Sequence, residues 1–100
     1  MKLGILTNTN RDLDHIVGIT KAAINKGHEV IIFAMDKGTE LAVSSRFKGL
    51  CRMENVTISL CRHSAEEHNV HTDNIPSEIV CGSQVNNAMM NNDADKILVL

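Results

Sequence analysis

Three cysteines, Cys51, Cys61 and Cys81, are the side chains of this 100-residue chain best suited to covalent chemistry. They stand at ten- and twenty-residue intervals, without a Cys-x-x-Cys pair. An odd number spread this way argues against a disulfide-stapled secreted scaffold and for free thiols in a reducing cytoplasm. Such thiols are either small packed hydrophobes or reagents, and position decides between the two. Cys61 ends the alternating run Val56-Thr57-Ile58-Ser59-Leu60 and precedes Arg62-His63-Ser64. A strand end meeting a helix start offers backbone N–H groups that favour a thiolate. Arg62, His63 and Ser64 are the candidate supporting residues, with the acidic Glu66 and Glu67 one turn later opposing their charge. If the alternation continues, Cys61 shares the sheet face of Thr57 and Ser59. Cys81, before Gly82 and Ser83, is a candidate second thiol for exchange with Cys61. Cys51 precedes the third strand, on the opposite sheet edge, and reads as structural.

Other site chemistry has less behind it. Cys61, His63, His68 and His71 match no closed zinc spacing, so no metal is expected. Thr7-Asn8-Thr9-Asn10 precedes a helix but lacks both glycine-rich phosphate signatures, so no organic cofactor is expected either. Asp12, Asp14 and Asp36 read as helix-start and turn residues, not as a paired acid and base.

The elements that must hold these residues follow a repeated rhythm. Leu3 to Thr7 reads as a buried strand. Leu13, Ile16, Val17, Thr20, Ala23 and Ile24 then fall on one helical stripe that Gly27 closes. Val30 to Met35 is apolar on both faces, as in a central strand covered by helices on two sides. A second helix is expected from Thr39 through Leu50, carrying Leu41, Val43 and Phe47. The third strand is Val56 to Leu60, and Ser64-Ala65-Glu66-Glu67 fits a capping box for a short helix. Around Pro76 the pattern is irregular. Ile79 and Val80 suggest a very short strand, Ser83 caps a helix with Val85, Ala88 and Met89 inward, and Lys96 to Leu100 closes the chain as a strand. Strands alternating with helices predict an α/β fold, three-layer α/β/α, with a mostly parallel sheet of about five strands in a single domain, residues 1–100.

Composition narrows the function classes. The formal charge is −2 and there are two Phe, no Trp and no Tyr. Neither a basic surface nor a base-stacking platform is available, so direct nucleic-acid binding is not expected. No run approaches the roughly 18 apolar residues of a membrane span. Met1 to Thr7 is too short and too soon polar for a secretory signal, which points again to the cytoplasm. Leu, Ile, Val and Phe make up 28 of the 100 residues, enough for a real core. A chain of this size buries only about two-thirds of its unfolded surface, so a partner subunit is expected to supplement it.

The run Thr57 to Ala65 resembles the DsrE/DsrF-like sulfur-relay proteins, in which a strand ending in a single Cys is followed directly by a small-residue helix start. The likeness extends over essentially the whole chain, through Lys2–Thr7, the segment Ala22-Ala23-Ile24-Asn25-Lys26-Gly27-His28-Glu29-Val30, and the stretch from Cys81-Gly82-Ser83 to Ala94-Asp95-Lys96-Ile97-Leu98-Val99. The resemblance implies a five-stranded parallel sheet of DsrEFH-like type, assembled as trimers or hexamers. It implies a persulfide carried on Cys61 and passed between a protein sulfur donor and a protein acceptor. The loops between the second helix and the third strand and after the third helix are shorter here than in the best-studied members of that family, many of whose members have no established activity. Two functions are therefore carried forward: a sulfur carrier or sulfurtransferase acting through Cys61, and a non-catalytic DsrE-like subunit that binds a protein partner or small ligand, with the cysteine structural.

Overall fold

The apolar run at the start of the chain forms β1 (Lys2–Thr7), hydrogen-bonded on one side to β2 (Glu29–Ala34) and on the other to β5 (Lys96–Val99). The structure, a computed structural model, describes residues 1–100. β3 (Val56–Cys61) and β4 (Ile79–Gly82) extend the sheet beyond β2 in the order β4-β3-β2-β1-β5, and every pairing is parallel. The sheet expected to be mostly parallel is wholly so.

Strand order explains where the helices lie. The chain steps outward from β1 to β4 through α1 (Leu13–Asn25), α2 (Ser45–Leu50) and α3 (Arg62–Glu67). α4 (Gln84–Asp93) then carries it back to β5, on the far side of β1. Right-handed crossovers running in opposite directions place their helices on opposite faces. The packing agrees with this. Ile5, Ile32 and Ile58, in register across three strands, join Ile16, Phe47, Leu50 and Ala65 in one core of 17 buried residues. On the other face the buried cluster is Phe33, Cys61 and Met90 alone. Phe33 lies in the central strand, as its apolar run predicts.

α1 follows its expected stripe, with Ile16, Val17 and Thr20 buried. It ends at Lys26, and Gly27 at φ +83° takes the left-handed position that closes a helix. The Thr20 hydroxyl is buried without a hydrogen-bond partner.

Three local expectations are corrected. The helix drawn from Thr39 to Leu50 is two pieces, a 3₁₀ segment Asp36–Val43 and then α2, separated by extended Ser44. The chain here is tied to the end of β1: Met35 N–H donates to the Thr7 carbonyl at 2.9 Å. A Cβ on Gly38 would stand 2.3 Å from that same oxygen, so only glycine fits the approach. This close contact draws the segment tight, and Val43 is left facing solvent. Thr39 does not cap a helix, because its hydroxyl donates to the Asp36 carbonyl instead.

Ser64 does not start α3 either. The helix begins at Arg62 with Cys61 at its N-cap, because β3 runs directly into it without a loop. Ser83 does cap α4, in a reciprocal capping box with Asn86. The inward face of α4 is nevertheless rotated from the one expected. Val85, Ala88 and Met89 are exposed, while Met90 is buried and Asn86 and Asn87 are half-buried. Asn86 is drawn inward because its carboxamide accepts from Ser83 N–H over Gly82. No helix is long and apolar enough to cross a membrane.

Candidate active site around Cys61

β3 sets the direction of Cys61. Ser59 stands opposite Phe33 in the register, and the alternation returns Cys61 to that same face, where it packs with Phe33 and Met90. The thiol is buried, at 6% exposure. Burial alone pushes a thiol pKa up, since it penalises the charged form. Here that push is outweighed, and the Cys61 pKa lies below its ordinary value. The groups that favour the thiolate are, from the strongest influence to the weakest, the Ser64 hydroxyl and N–H, the Gln84 carboxamide and the His63 N–H. Two of these donors exist because the chain turns into α3 at once, which leaves first-turn N–H groups without helical acceptors.

The supporting residues divide. Ser64 is buried and gives both hydroxyl and backbone donors. His63 contributes through its backbone only, since its ring is exposed and pairs with Glu67 at 2.6 Å. Arg62 reaches sideways, its guanidinium donating to the Cys81 carbonyl at 3.4 Å, and so braces the end of β3 against β4. Cys81 stands opposite Leu60 in the register and packs with the large core on the other face. The two thiols therefore reach the same edge of the sheet but opposite sides of it, and the structure does not bring them together. Cys51 is buried under α2, where its thiol donates to the Lys48 carbonyl at 2.8 Å. Burial and the Glu78 carboxylate raise its pKa.

His68 pairs with Glu40 at 3.8 Å, and no group of three or more His, Cys, Asp or Glu side chains converges in a metal-binding arrangement. In the loop after β1, Thr9 is engaged with Asp12 and Arg11 N–H.

Gln84 is the residue that sequence reasoning missed. Its carboxamide donates to the Met35 thioether at 3.8 Å and also favours the Cys61 thiolate. The available signal was topological: Gln84 follows the Ser83 cap, and the ends of adjacent parallel strands share one edge of the sheet. Gly82, the register partner of Cys61, leaves room for the cap of α4, the helix that carries Gln84. A Cβ there would stand 2.1 Å from the Asn86 carboxamide oxygen and would break the capping box that starts α4.

Beside α4 on this face lies an open groove of about 200 Å³, floored by Ile31, Thr57 and Ser59 and flanked by Val80, Asn86 and Met89. Its floor along β3 ends at Ser59, two residues before Cys61.

The chain matches no family profile, and no curated protein matches it in sequence. Among solved structures it is similar to the ychN protein from E. coli, with a TM-score of 0.73 over 99% of this chain and 97% of that one at 14% identity. It is also similar to MTH1491, a protein of unknown function from Methanobacterium thermoautotrophicum. There the TM-score is 0.78 over 99% of this chain and 98% of the other, at 9% identity. At these identities the likeness establishes a shared fold.

Proposed function

We propose that this chain, as one DsrE-like domain over residues 1–100, is a small cytoplasmic sulfur carrier that relays sulfane sulfur as a persulfide on Cys61. The observation that carries this reading is a buried thiol whose pKa is nonetheless lowered by donors from two elements, α3 and α4. A thiol that is only packed has no need of such donors, whereas a nucleophilic thiolate does. The Cys61 thiolate attacks the outer sulfur of a donor protein's persulfide. The donor's S–S bond breaks, the donor leaves as a thiolate, and a persulfide forms on Cys61. An acceptor thiolate repeats the step in turn. Electrons balance at each exchange, so neither oxidant nor organic cofactor is required. The donors that hold the thiolate are equally placed to stabilise the anionic persulfide.

Assembly as a trimer or hexamer fits the same reading. Val80, Val85 and Met89 are more than half exposed on the thinly covered face, and a second copy would remove them from water. Light scattering is expected to show an oligomer at micromolar concentration; a stable monomer would count against this.

The near-complete burial of Cys61 favours a second reading, a non-catalytic subunit that binds a protein partner or small ligand and uses the cysteine for packing. Persulfide loading separates the two. After incubation with a cysteine desulfurase or rhodanese donor system, intact mass is expected to rise by one sulfur atom. The increment should vanish in Cys61→Ser and persist in Cys81→Ser. An adduct that survives Cys61→Ser overturns the site, and no adduct from any donor selects the binding subunit.

A further inference from the structure

On the side of the sheet away from Cys61, a cavity of about 260 Å³ opens between the Asp36–Val43 segment, α2 and the loop after α3. Ala42, Val43 and Ile75 give it an apolar side, and Lys48, Asn69, His71 and Asn74 give it a polar one. No carboxylate lines it, although the chain as a whole carries a net negative charge. Neither Lys48 nor His71 takes part in any of the molecule's ion pairs. None of the four polar side chains makes a hydrogen bond within the protein. Four donor-bearing residues, one of them carrying a full positive charge, thus border one space, and their side chains have no partners within the protein.

Their backbones are held in place. Asn69 takes the left-handed conformation at φ +57° that ends α3, with its N–H on the Glu66 carbonyl at 3.2 Å and Val70 N–H on Ala65 at 2.8 Å. Asn74 closes the 3₁₀ turn Thr72–Asn74, and Lys48 stands in α2. The backbones therefore keep the four side chains around one opening, and ordering the side chains themselves is a cost that a ligand must offset.

We propose that this cavity binds a small organic anion, a carboxylate or phosphate monoester with a short aliphatic body. The charged group sits among Lys48, His71 and the two carboxamides, and the aliphatic part lies on Ala42, Val43 and Ile75. The volume falls just below the roughly 300–1,000 Å³ of drug-sized ligand pockets, which suits a compact metabolite. The site is independent of Cys61 and of any sulfur chemistry there.

Amide-resolved NMR titration of the full chain with butyrate, butyl phosphate and the neutral isostere butyramide tests the proposal. Saturable shifts clustered at Lys48, Asn69, His71 and Asn74 are expected with at least one of the two anions, and the pair distinguishes carboxylate from phosphate. Lys48→Gln should weaken binding by about tenfold, the scale of one charge-assisted hydrogen bond. Cys61→Ser should leave it unchanged. Equal shifts with butyramide, shifts with neither anion, non-saturating shifts over the whole surface, or full affinity in Lys48→Gln would each overturn it.

Discussion

Cys51 and Cys61 are buried almost equally, at 8% and 6% exposure, yet their thiols are pushed in opposite directions. Cys51 belongs to the thick face of the sheet, where burial and Glu78 raise its pKa. Cys61 lies on the thin face, among donors from Ser64, Gln84 and His63 that overcome burial. The contrast extends to the faces themselves. One holds a continuous apolar core of 17 buried residues; the other buries three and leaves a groove beside its single helix. The lesson is that burial does not fix the state of a thiol. What the surrounding backbone and side chains donate decides it, and here the face that contributes least to the core has the more activated sulfur.

Substitution of the two phenylalanines, one on each face, probes this division with the largest expected effect. Phe47→Ala should destabilise the chain by about 3–5 kcal/mol in urea unfolding, the usual cost of emptying a core aromatic site. In the folded fraction it should leave Cys61 alkylation unchanged. Phe33→Leu, a milder change in direct contact with Cys61, should alter that alkylation rate. If both variants changed it alike, the two faces would not be separate.

A smaller effect is expected at Thr20. Its hydroxyl is buried on the thick face without a partner. Thr20→Val keeps the shape and removes the unpaired group, so stability should rise by about 1 kcal/mol in the same assay. Smaller still is the intrinsic effect of Met89→Gln on the outer side of α4, within about 0.5 kcal/mol for an exposed site. Any larger loss should appear only at concentrations where the chain associates and should fade on dilution, as the Phe47→Ala loss does not.

The thiols also make stability depend on pH, with opposite signs. Between the lowered Cys61 pKa and the ordinary thiol value, the unfolded chain keeps a proton that the folded chain has lost. Stability from Cys61 therefore rises with pH across that window. For Cys51 the folded chain keeps its proton longer, so stability falls once pH passes the ordinary thiol value. Chemical denaturation as a function of pH should show the rising part vanish in Cys61→Ser.

Much of this was legible in the residues. The apolar runs located the strands, and the break at Leu60-Cys61-Arg62 located the thiol at a strand end. The side of the sheet it faces followed from two-residue alternation. What was not legible depends on contacts between distant segments. The Thr39–Leu50 helix pattern is overridden by the packing of Gly38 on Thr7, which no local periodicity encodes. The rotation of α4 comes from Asn86 capping over Gly82, so polar residues turn inward where an apolar stripe was expected. Gln84 reaches Cys61 only because β3 and β4 are neighbours, and that is a property of topology. His63 looked like a charge for the thiolate, but its ring found Glu67 one turn away.

The central claim, that the thin face holds an activated thiolate, is tested most directly by alkylating the folded protein with a small reagent across pH and resolving each cysteine by peptide mass spectrometry. Cys61 should become reactive at lower pH than Cys51, although Cys51 is no more buried than Cys61. Ser64→Ala should move the Cys61 profile to higher pH and leave Cys51 where it was. A Cys61 profile that coincides with that of Cys51, or lies above it, would contradict the account.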